Sequence, residues 1–122
     1  MIFVAEDSNG KIVGSVMVKH DDDQPPEKKF GRNKVAHITL LSVLRTHRKL
    51  GIASKLMKAS EEQMKNCFDC TAVTLHVRVS NKAAIALYQS LGYEIILARR
   101  NHYHRPVEHG FFMRLKLQDE IE

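Results

Sequence analysis

Arg48-Lys49-Leu50-Gly51-Ile52-Ala53 joins two kinds of sequence. Before it, residues 34–44 have strand composition. After it, Ile52, Leu56, Ala59 and Met64 recur as an imperfect apolar stripe at helical spacing, which predicts an amphipathic helix over 50–66. A helix that starts here presents backbone N–H groups without intrahelical partners at the positive end of its dipole, a setting that favours a phosphate group. Gly51 removes the side chain that would hold a pyrophosphate away from those amides. Six residues with one glycine are a weak pattern by themselves, and a simple basic turn fits them as well.

Working outward toward the N-terminus, Val13 to Val18 is β-branched and apolar, and Asp7-Ser8-Asn9-Gly10 ahead of it has turn chemistry. Residues 1–6 and 11–19 therefore read as a hairpin. Residues 20–33 hold three aspartates, Pro25-Pro26, two lysines and Gly31 without periodicity, which reads as a solvated loop. Toward the C-terminus, residues 71–79 alternate, with Val73, Leu75, Val77 and Val79 on one side and Thr74, His76 and Arg78 on the other. Ser80 is the expected cap of a short helix carrying Ala84, Leu87, Tyr88 and Leu91, and Gly92 supplies its left-handed stop. Strands at 93–98 and 111–117 close the chain around segment 101–110. The order ββ–β–α–β–α–ββ predicts an α/β fold: a mixed sheet with helices on its faces.

With 122 residues, one domain over 1–122 is expected; 43% hydrophobic and 27% charged residues are the composition of an ordinary globular protein. No apolar run approaches the length of a membrane span, and Met1-Ile2-Phe3-Val4 runs into Glu6 and Asp7 without a charged start, so neither membrane insertion nor secretion is expected. Cys67 and Cys70 form an isolated pair without a second ligand pair, read as plain thiols rather than a metal site. A net charge of +5 fits nucleic acid, an acidic peptide or cofactor phosphates; without a nucleic-acid motif, a solvated basic face is preferred to nucleic-acid binding.

Arg48 to Ala53 resembles the R/Q-x-x-G-x-G/A pyrophosphate loop of the GNAT superfamily. The resemblance continues through Leu75-His76-Val77-Arg78-Val79-Ser80-Asn81, Ala84, Leu87-Tyr88 and Leu91-Gly92-Tyr93, which is similar to a run in the protein N-terminal acetyltransferases of NatA and NatE type. Residues 5–14 and Ala36-His37-Ile38-Thr39-Leu40 agree as well. It implies a GNAT fold and an acetyl-CoA-dependent enzyme, without a metal, that acetylates the N-terminal α-amine of proteins in the cytoplasm or nucleus, with an auxiliary subunit and ribosome association. Other readings are a GNAT acting on lysine or small amines, and a non-catalytic acetyl-CoA-binding module.

By that resemblance, backbone groups of Leu41 and Val43 hydrogen-bond the pantetheine arm and acetyl carbonyl. Residues Arg48, Lys49, Leu50, Gly51, Ile52, Ala53 and Ser54 hold the pyrophosphate, and Asn81 contacts the pantetheine. Tyr88 would lie near the thiol, although a tyrosine on that helix stripe also reads as core. His76 is the expected base and His37, with Thr39 on its strand face, the helper. Transfer to an amine needs an oriented thioester and a free amine rather than a covalent intermediate. An N-terminal amine, with a pKa of about 7.7 to 8.0 against about 10.4 for lysine, needs only a modest base. Arg78 would orient the peptide, and His102 with Tyr103 would clamp its backbone. The family begins with a strand and two helices ahead of the segment matched by Met1. The resemblance therefore implies an N-terminally shortened fold whose exposed apolar sheet favours self-association.

Overall fold

The computed structural model describes residues 1–19, 34–48 and 51–119. Six strands form one sheet in the order β1-β2-β3-β4-β6-β5: β1 Ile2–Glu6, β2 Ile12–Lys19, β3 Lys34–Val43, β4 Cys70–Arg78, β5 Glu94–His104 and β6 Val107–Lys116. Helix α1, Ile52–Asn66, links β3 to β4, and α2, Lys82–Ser90, links β4 to β5. Only β3 and β4 pair in parallel, as a strand–helix–strand crossover requires; the other neighbours are antiparallel. The expected loop 20–33 lies outside the described residues.

The first hairpin turns on Asp7, whose carboxylate accepts from the backbone of Asn9 and Lys11 at 2.9 Å each. These two bonds hold the Asp7 carboxyl below its ordinary range. In β4 Val73, Leu75 and Val77 are buried in the core with Val16, Val18, Ala36 and Ile38 of the neighbouring strands, whereas Val79 falls past the end of the strand and Thr74 on the other side is buried too. Leu56, Met57 and Met64 of α1 and Ile85 and Tyr88 of α2 pack into that same cluster. Tyr93 joins the helices by setting its ring at a tilt against Tyr88 at 5.9 Å and donating its hydroxyl to Glu61 at 3.2 Å.

Both helices thus cover one face, and the expectation of helices on both is corrected. With only two crossovers of the same hand, one on each side of β4, both fall on the same side. Among the described residues no helix covers the opposite face, where Ile2, Met17 and Leu40 lie in register across β1, β2 and β3, each more than a third exposed. No helix among them is long and apolar enough to cross a membrane.

Three local expectations also change. The buried stripe of α1 is Leu56, Met57, Ser60, Glu61 and Met64, with Ala59 exposed, because two rows at four-residue spacing, 56-60-64 and 57-61, face the sheet. The α2 cap is Asn81, whose side chain accepts from the Ala84 amide at 3.2 Å; the Ser80 amide is taken instead by Glu108 at 2.8 Å. Segment 101–110 is part of a long hairpin rather than a connection, since β5 runs to His104 and β6 begins at Val107. Gly92, at φ 99°, ends α2 as expected. Cys67 is exposed, Cys70 is buried, and neither forms a disulfide among the described residues.

Candidate functional site

The parallel ladder between β3 and β4 runs from Lys34 opposite Cys70 to Ile38 opposite Leu75 and then stops. Beyond it β3 continues to Val43 paired only with β2, and β4 continues to Arg78 paired only with β6. The strands part at their C-terminal ends, and the inner edge of β3 from Thr39 to Val43 has no strand ladder on its β4 side. Leu41 and Val43 both lie on this stretch.

On the helix-bearing face the opening meets a pocket of about 290 Å³ lined by Val43, His47, Arg48, Gly51, Ile52, Ala53, Ser54, Ala83 and Leu87. Gly51 is the N-cap of α1 at φ 76°, with no side-chain cap and no acidic residue in the first turn. A Cβ on Gly51 would meet nothing within 4 Å, so the glycine is needed for its left-handed backbone rather than for room within the protein. Arg48 stands beside it and donates to the Val43 carbonyl at 3.3 Å. Lys49 and Leu50 lie outside the described residues. Asn81 heads α2 with its carbonyl oxygen committed to the cap, which leaves its amide N–H groups as donors. His47, Ala83 and Leu87 were not expected here. His47 had a signal in the basic cluster before α1, whereas Ala83 and Leu87 arrive only through packing.

On the uncovered face the opening meets imidazoles. His37 and His76, on β3 and β4, have ring centroids 5.3 Å apart, and His102 of β5 stacks on His76 at 4.2 Å. Burial pushes the pKa of His76 down to about 4, with the neighbouring His102, His37 and Arg99 adding to the shift, and burial lowers that of His37. Both rings are neutral at pH 7. The His37 Nδ1 lies 2.8 Å from the Thr74 hydroxyl, which donates to the Ala36 carbonyl at 3.4 Å. The direction of the shorter of these bonds follows the His37 tautomer. The Nε2 of His76 accepts from Arg99 Nε at 2.9 Å. Among the described residues no group of side chains is arranged to hold a metal ion.

Thr39 turns away from this cluster. The β2–β3 register slips at Met17/Val18, and the Thr39 hydroxyl donates to the Met17 carbonyl at 3.2 Å. Tyr88 is 8% exposed in the core beneath the opposite face, and burial raises its pKa, so it is a neutral phenol. Arg78 is fully engaged: it donates to the Pro106 and Arg105 carbonyls at 3.0 and 3.1 Å and to Glu108 at 3.2 Å, and covers the Tyr103 ring at 4.3 Å. Glu108, held below its ordinary pKa by Ser80 and Arg78, ties this hairpin to the start of α2. Arg78 thus fixes the tip that carries His102 and Tyr103. Arg99, Glu108 and Phe112 were missed, because their approach to β4 depends on β5–β6 register.

The family model described as the acetyltransferase (GNAT) family matches residues 1–93. The N-terminal acetyltransferase complex ARD1 subunit homolog of Dictyostelium discoideum is 42% identical over 120 residues, which is 98% of this chain and 55% of that protein. The N-terminal acetyltransferase A complex catalytic subunit NAA10 of Arabidopsis thaliana is 47% identical over 96 residues, 78% of this chain and 46% of that one. The chain spans about half the length of these curated relatives. A crystal structure of the NatC complex bound to Gag peptide and CoA contains a chain with a TM-score of 0.82 at 26% identity, covering 96% of this chain and 71% of that one.

Proposed function

The chain belongs to the acetyltransferase (GNAT) family, and from that premise we propose that it is the acetyl-CoA-binding part of an N-acetyltransferase acting on the N-terminal α-amine of proteins and peptides. The reading rests on one observation: β3 and β4 part between an uncapped helix N-terminus on one face and a pair of neutral imidazoles on the other. That opening is a passage for a long, phosphate-bearing thioester. Relatives named as N-terminal acetyltransferase subunits, and a structural neighbour bound to peptide and CoA, support the same assignment.

Acetyl-CoA supplies the activated acetyl group, and the chain's residues divide the remaining work. Amides of Gly51 to Ser54, with Arg48, Lys49 and Leu50, hold the pyrophosphate. Backbone groups of Leu41 and Val43 on the β4 side and the Asn81 amide bind the arm along the opening. Tyr88, kept as a phenol by burial, donates toward the leaving sulfur. His76, with His37 beside it, takes the proton of the attacking amine; because an N-terminal amine is already partly unprotonated near neutral pH, an imidazole of lowered pKa serves. His102 and Tyr103, on the tip that Arg78 fixes, hold the peptide backbone.

An auxiliary subunit, ribosome association and a cytoplasmic or nuclear setting accompany this reading. Self-association would rest on the exposed row of Ile2, Met17 and Leu40. The whole forms a single unit over residues 1–122. The test is transfer from acetyl-CoA to matched peptides with free and blocked N-termini. Transfer to the free form alone is expected, and His76→Ala should lower turnover by about 10²-fold. Transfer only to blocked, lysine-containing peptides would replace the reading with side-chain acetylation. Tight acetyl-CoA binding without transfer to any amine would leave a binding module.

A further inference from the structure

The β5–β6 hairpin is interrupted beside the imidazoles. Arg99 pairs with Gly110, pairing resumes at Tyr103 opposite Glu108, and three residues of β5 stand against His109 alone. In an unbroken strand the side chains of residues 99 and 102 would point to opposite faces. Here both reach the same ring: Arg99 Nε lies 2.9 Å from His76 Nε2, and His102 stacks on that ring at 4.2 Å. The interruption is built in. Asn101 holds a left-handed backbone at φ 51°, and its amide donates to His109 Nδ1 at 3.0 Å. A Cβ on Gly110 would come within 3.0 Å of the Tyr103 ring and 3.3 Å of His102, so the glycine lets the displaced strand close over it. Such bulges re-aim side chains beside active sites, and a left-handed non-glycine residue persists only where its surroundings dictate it.

We infer that Arg99 is a positioning residue of the acceptor site, whose guanidinium keeps the lone pair of His76 on Nε2 and the ring hydrogen on Nδ1. This rests on the acetyl-transfer reading above. A guanidinium has only donors and remains charged, so the nitrogen it faces must be an acceptor. Among the described residues nothing else around the ring supplies a fixed donor to that atom: His37 meets it edge-on from β3, His102 stacks on it from β5, and the Phe112 ring of β6 lies at 5.2 Å. Arg99 also reaches over Phe112 at 5.4 Å and is otherwise exposed. An incoming amine can therefore replace it, because one N–H donor gives way to another while the ring stays as it was. As the amine nitrogen bonds to the acetyl carbon and the carbon–sulfur bond breaks, the amine proton passes to the prepared Nε2 and the thiolate leaves.

The test compares the full chain with Arg99→Ala and Arg99→Lys, reading the His76 ring nitrogens by ¹⁵N NMR and the steady-state kinetics on a free-N-terminus peptide. In the unsubstituted protein Nε2 should resonate as the unprotonated nitrogen, in Arg99→Ala the two tautomers should mix, and Arg99→Lys should restore the first pattern. The kcat of Arg99→Ala should fall roughly tenfold, the bias expected of one charge-assisted hydrogen bond. Its KM for acetyl-CoA should not move, and lysine should recover most of the loss. An Arg99→Ala ring with unchanged nitrogens, a changed ring with undiminished kcat, or a loss that lysine fails to restore would each overturn the assignment. If even the unsubstituted chain transfers nothing, the acetyl-transfer reading fails, while the ring nitrogens still decide whether Arg99 sets the tautomer.

Discussion

At the head of α1, the features that suit a diphosphate arise within one short stretch: a left-handed glycine, uncapped amides and an arginine beside them. On the uncovered face nothing is local. His37, His76 and His102 come from three strands, and a bulge on β5 brings the third ring and Arg99 into place. The two regions should therefore fail differently. A site made by one backbone conformation is lost when that conformation is lost, whereas a site made by convergence loses turnover by degrees as single members are removed.

Gly51→Val is the sharpest way to break that contrast. A β-branched residue at φ 76° carries strain of about 1 to 3 kcal/mol, which the chain can relieve by turning the first amides of α1 away from the pocket. The affinity for CoA should fall about 10- to 100-fold in calorimetric titration. The added side chain has open space around it, so folding should survive. Unchanged CoA affinity would mean that the amides are not the anchor, and the phosphate-binding half of the comparison would be gone.

The same contrast explains what could be read before the structure was known. The turn at Asp7, the run of six strands and two helices, and the opening of α1 at Gly51 all follow from neighbours in the chain, whose chemistry a sequence displays directly. His37 and His76 could be placed on one side of their strands by alternation alone. Alternation does not reveal where a ladder ends or slips. Thr39 was assigned to the His37 face, but a slip against β2 sends its hydroxyl to Met17. Segment 101–110 read as a connection between the last two strands; it is a bulged hairpin, with Asn101 at a left-handed backbone. Arg99 had no signal beyond a basic pair, and its role emerges only from the shifted register. Ser80 was expected to cap α2, but Asn81 does so while Glu108 takes the Ser80 amide from the far end of the hairpin.

Arg78→Ala should sharpen the comparison from the other side. It removes three bonds to the hairpin tip and the cation over Tyr103, leaving α1 untouched. If the tip holds the peptide, KM for peptide should rise about tenfold, the scale of losing a hydrogen bond to a charged group. CoA affinity should stay within about twofold, since no group in the pocket changes. Equal losses on both ligands would show that the two regions share one mechanical unit.

The smallest expected effect concerns the strut beneath both regions, where Tyr93 donates to Glu61 between α1 and the end of α2. Burial pushes the Glu61 carboxyl up to about 7, against an ordinary value of 4.5. The folded state consequently binds a proton that the unfolded state releases near 4.5, so Glu61 favours folding below that value. Its contribution declines as pH rises through the interval to about 7 and stays at its lowest above it. Glu61→Gln keeps an acceptor for Tyr93 and removes the titration. Denaturant unfolding should find it about 1 to 2 kcal/mol more stable than the parent at pH 8, after allowance for solvent around the carboxyl. Near pH 4.5 the two proteins should agree. Parallel stability curves across that range would show that the carboxyl is solvated in both states. If CoA affinity and turnover moved together with stability, the strut would be transmitting to both sites, and their independence, on which the contrast rests, would be lost.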